Sequence, residues 1–67
     1  MTIYVERNKE TWTAREADGW VVATVSLADS VANCANDGSR FGAAVQQELV
    51  KHARAGGGQT VLKMERQ

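Results

Sequence analysis

His52 is the single histidine of this 67-residue chain and Cys34 its single cysteine, so nucleophilic or acid–base chemistry would have to be assembled around that pair. A triad would need Cys34 or a serine as attacking group, His52 as base and a third group to orient the ring. Cys34, however, falls at helical spacing with Leu27, Val31 and Ala35, the setting of a small packed side chain rather than an activated thiolate. The spacing of Cys34 and His52 matches no metal-ligand pattern, and one cysteine excludes both an internal disulfide and a thiolate-only zinc site. The eight acidic residues are scattered, with no paired-carboxylate signal. Gly56-Gly57-Gly58 follows a helical segment and precedes a strand-like one. A phosphate cradle needs the opposite order, so these glycines read as a connection. The expectation is a protein that is not an enzyme and uses no cofactor and no metal.

Binding chemistry is better represented. Trp20 with Thr13, Arg15 and Val22 is expected to form an amphipathic patch, and Trp and Arg are enriched in interface hot spots. Asp18, Asp29 and Asp37 lie in turn and connecting segments and could oppose a basic partner, although Asp is also the ordinary residue of turns and caps. Lys51, His52 and Arg54 fall near a helix end, where the macrodipole favours cations; a phosphate site is the other reading. Eight basic and eight acidic residues give zero net charge, and Arg7, Lys9 and Arg15 are interleaved with Glu6, Glu10 and Glu16. Without a concentrated basic footprint, nucleic acid is not the expected direct ligand.

The elements that must position these residues follow from periodicity. Thr2 to Arg7 is strand-like. Thr11 to Ala17 and Trp20 to Val25 flank Asp18-Gly19, a dipeptide favoured in two-residue type I′ hairpin loops. That loop would pair Ala14 with Ala23 and Trp12 with Val25, turning Val21 to the core and Trp20 and Val22 outward beside Thr13 and Arg15. From Ser26, the spacing of Leu27, Val31, Cys34 and Ala35 suggests a short helix ending at Asn36-Asp37-Gly38. Phe41, Ala44, Val45, Leu49 and Ala53 mark the clearest helix, with Gly56 as its stop. Gln59 to Glu65 alternates as a last strand. The expected fold is α+β: one compact domain over residues 1–67, with a small, mostly antiparallel sheet of three to four strands. One main helix would cover one face, with a short extra helix. The expected core is Ile3 or Tyr4, Trp12, Val21, Val25, Phe41, Val45, Leu49 and Leu62.

A chain this short buries only about 60% of its unfolded-state surface, so self-association or folding on a partner, including a homodimer, is open. MTIYVERN carries no signal-like pattern and no stretch reaches membrane-span length, so a cytoplasmic location is expected.

With DGWVVATV leading through an Asp/Gly/Ser-containing connection into FGAAVQQELVKHA and then TVLKM, the chain from Trp12 to Met64 resembles small phage-encoded anti-CRISPR proteins directed against type I systems. The resemblance implies a stoichiometric inhibitor in the infected bacterial host, docking on Cas proteins of a type I complex or its nuclease and blocking DNA binding or nuclease recruitment. It transfers no functional residue. Many such proteins are strongly acidic; a neutral chain points to steric blocking rather than DNA mimicry. GWVVATV before a helix also resembles the amino-terminal module of HicB-type antitoxins, without that family's proline-glycine element. The alternative expectation is therefore an antitoxin-like or nucleic-acid-binding regulatory module, for which the available cationic residues are Arg15, Lys51, His52 and Arg54.

Overall fold

A computed structural model describes residues 2–28 and 31–64. Along the chain lie β1 (Thr2–Asn8), β2 (Thr11–Arg15), β3 (Val21–Ala28), β4 (Val31–Asn36), α1 (Arg40–Arg54) and β5 (Thr60–Lys63). The first four strands form an antiparallel meander. The chain then crosses through α1 and returns antiparallel to β1, giving a five-stranded sheet of order β4-β3-β2-β1-β5. Helix α1 packs on one face, chiefly over β3. The α+β class and the single covering helix agree with expectation, while the strand number does not. No helix among the described residues is long and apolar enough to cross a membrane.

The expected short helix is instead sheet. Strand β3 runs on to Ala28, and β4 pairs with it from Ala28 opposite Val31 to Ala23 opposite Asn36. Ala, Asn and Cys are weak strand formers, but a segment this short makes only a marginal helix in water. Pairing with β3 supplies a full ladder of main-chain hydrogen bonds, and tertiary context overrides propensity.

The β2–β3 hairpin also differs from the two-residue loop. Glu16 O accepts from Gly19 N–H at 2.9 Å, and Glu16 N–H donates to Trp20 O at 2.9 Å. Only Gly19, at φ 92°, takes a positive φ in this loop. This is the three-residue connection in which a turn is followed by a left-handed glycine. Further along, Ala14 faces Ala23 but Arg15 faces Val21, so Val22 is an extra residue in β3, a β-bulge. The longer loop and the bulge shift the register in opposite senses. They cancel, so Ala14 pairs with Ala23 and Trp12 with Val25 as expected. Between the two irregularities the faces exchange: Val22 is 1% exposed and Val21 is 40% exposed.

Ile3, Val5, Trp12, Ala14, Val22, Ala23 and Val25 make the sheet side of the core, against Val45, Leu49 and Ala53 of α1. Phe41 and Leu62 are half-buried beside it. Tyr4 and Val21, the other expected core residues, are exposed. Ser39 Oγ caps α1 by accepting from Gly42 N–H at 2.9 Å. The helix ends in a Schellman motif, with Gly56 N–H on Ala53 O at 3.1 Å and Gly57 N–H on His52 O at 3.0 Å.

Candidate functional site

The sheet face opposite α1 is covered by no described element. Strand alternation and register set Val61, Tyr4, Arg15 and Val21 side by side across β5, β1, β2 and β3. The next row is Glu6, Thr13, Thr24 and Ala35. Val61, Tyr4 and Val21 are 50%, 43% and 40% exposed, so the first row is apolar at both ends with one guanidinium between. Arg15 Nη1 donates to Gly19 O at 3.2 Å, and Arg15 Nε lies 3.9 Å from Glu6 Oε2. An exposed ion pair of this kind contributes little to stability. Together the two contacts set the guanidinium between the hairpin loop and Glu6 of β1.

Thr13 and Arg15 therefore share the open face as expected. Val22 does not, because the bulge turns it into the core. Trp20 is 59% exposed but belongs to a different neighbourhood. Its backbone N–H donates to Asp18 Oδ1 at 2.9 Å, and its indole lies close enough to Asp37 to help stabilise that carboxylate. Asp18 and Asp37 thus both converge on Trp20 at the hairpin end. The hydroxyl of Ser39 donates to Asp37 Oδ1 at 2.6 Å and its backbone N–H at 3.0 Å. These bonds, the hydroxyl first, hold the Asp37 carboxyl below its ordinary value of 3.8. Asp29, the third member of the acidic set, lies outside the described residues.

At the basic helix end Lys51 and Arg54 are exposed and His52 is half-buried. Lys51 Nζ lies 3.6 Å from Glu48 Oε1. His52 turns away from solvent, with Nε2 at 2.9 Å from Gly58 O, and its ring packs on Gly57. Trp12 Nε1 donates to Gly57 O at 2.7 Å, while Arg7 lies over the Trp12 ring, 4.9 Å from its centroid. The glycine connection is therefore docked by a core tryptophan and the lone histidine. Cys34, expected in the core, is exposed on the edge strand β4. Among the described residues no three His, Cys, Asp or Glu side chains converge as metal ligands.

Tyr4, Val21 and Val61 are the surface residues that sequence reasoning missed. A signal existed in the alternation of Ile3 and Val5 with Tyr4 and Glu6. No family model, no curated protein and no solved structure matches the chain.

Proposed function

We propose that this chain is a non-catalytic protein-binding domain that seats its partner on the open face of the sheet. The observation that supports this reading is the row Val61, Tyr4, Arg15 and Val21, continuous across four strands and uncovered by any described element. Tyr and Arg are anchor residues in interfaces, and the hydroxyls of Thr13 and Thr24 in the adjoining row suit a polar surround. A domain this small, presenting a surface, acts by occupancy: bound one to one, it blocks whatever its partner would otherwise engage.

The resemblance carried by DGWVVATV, FGAAVQQELVKHA and TVLKM directs the proposal to Cas proteins of a type I system, inside an infected bacterium. Expressing the chain in a host whose type I system targets a phage should restore plaques, and the tagged chain should recover Cas proteins in near-equal amount. A host that still clears the phage, with no Cas protein recovered, overturns this choice of target.

A further inference from the structure

We propose that two copies of this chain join through β4, fusing two five-stranded sheets into one of ten strands. Strand β4 is an outer edge of the sheet and six residues long, Val31–Asn36. Natural edge strands are guarded by charged residues, proline or a bulge, because their free main-chain groups are a template for another strand. This one has no charged residue and no proline, and its register with β3 is unbroken.

The direction of the free groups follows from the ladder. Asp37 N–H, one residue past β4, donates to Val22 O at 2.9 Å. Stepping back by twos, Ala35, Asn33 and Val31 turn their main-chain groups to β3, which leaves those of Ala32, Cys34 and Asn36 directed away from the sheet. The opposite sense on β3 agrees, since Leu27 N–H points to Glu10 O of the β1–β2 turn, at 3.4 Å. A two-fold axis at Cys34 would pair Cys34 with its own copy and Ala32 with Asn36 of the second copy, using all three outward residues.

A second copy is the occupant for reasons of charge and packing. In this register only Cys34 faces its own copy, and every residue of β4 is uncharged, so the strand brings no like charges together; the other edge, β5, is four residues long and ends in Lys63. The chain's net charge of zero adds no long-range repulsion. On the helix side the core stops abruptly at β4: Val25 is 0% exposed, yet Cys34, directly opposite it, is exposed. A second sheet would continue that layer.

Sedimentation velocity on the purified chain should show a concentration-dependent species of twice the 7.3 kDa chain mass. Cys34→Lys and Cys34→Glu place like charges on the axis, and each alone should raise the dimer dissociation constant at least about tenfold. Mixing the two should restore a one-to-one dimer. Because a variant could fail to fold, amide exchange on the unaltered chain gives a second readout: the N–H groups of Ala32, Cys34 and Asn36 should become protected as concentration rises. A chain that stays at its monomer mass, variants that associate as tightly as the parent, species larger than a dimer, or exchange that ignores concentration each overturn the proposal. The chain alone is measured, so the result is independent of partner binding on the open face.

Discussion

The two tryptophans of this chain have opposite duties. Trp12 is 5% exposed, packs in the core and donates its indole N–H to Gly57 O, whereas Trp20 is 59% exposed at the hairpin end. Chemical denaturation should therefore separate them: Trp12→Ala costs about 3–5 kcal/mol, which a domain this small barely survives, while Trp20→Ala stays within about 0.5 kcal/mol. Equal losses would show that Trp20 is structural. The carboxylate beside Trp20 has its own signature. Asp37 is held below 3.8 in the folded chain, chiefly by the Ser39 hydroxyl. A depressed folded value means that its stabilising contribution is complete above the unfolded value and fades as pH falls through the folded one. Asp37→Asn should thus flatten the acid limb of stability below 3.8 and leave the neutral region's pH dependence unchanged. A carboxyl titration midpoint for Asp37 at or above 3.8 would contradict this account.

The hairpin is a case in which two local departures hide each other. The three-residue loop and the bulge at Val22 cancel in register, so the pairs beyond them match a simple two-residue loop while Val21 and Val22 exchange faces. Val22→Ala should cost about 2 kcal/mol and Val21→Ala less than about 0.5 kcal/mol; the simple loop requires the reverse order. The break in alternation was visible in Trp20-Val21-Val22-Ala23, an apolar run that no period of two can divide between faces, but not which residue would bulge. The long helix was legible because Val45, Leu49 and Ala53 repeat at one helical face. Strand β4 was not, since Ala-Asn-Cys-Ala-Asn carries little intrinsic preference and owes its conformation to β3. For the same reason the exposure of Cys34 was beyond local reasoning. Thr13 and Arg15 fall on the open face because β2 itself alternates without a break, the extra residue lying in β3, whereas β1 alone does not say whether Ile3 or Tyr4 meets α1, since the covered face is set by the rest of the sheet.

The glycine connection is likewise shaped from outside itself. A β-carbon at Gly57 would strike the His52 ring, while one at Gly58 meets nothing within 4 Å. Gly57→Ala is expected to destabilise by about 1–3 kcal/mol, with Gly58→Ala neutral or stabilising by up to about 1 kcal/mol. Thermal unfolding of the pair checks this, and a tolerant Gly57 would mean that His52 does not hold the loop.

At the scale of the whole molecule, the core is one-sided: one helix closes one face of the sheet, and the other face carries Tyr4, Arg15, Val21 and Val61 without cover among the described elements. Under the proposed binding role, the neutral charge balance would leave shape and a few anchors, rather than long-range attraction, to select the partner. The most direct measurement is a titration of the chain, and of a Tyr4→Ala/Val21→Lys double variant with an unchanged circular dichroism spectrum, against a purified type I surveillance complex and its nuclease. The expected result is saturable one-to-one binding to one of them, weakened about thirtyfold or more in the variant, the loss of an anchor worth about 2 kcal/mol. Equal affinity of parent and variant, or no binding by the parent to either, would contradict the assignment of the open face as the working surface for this target.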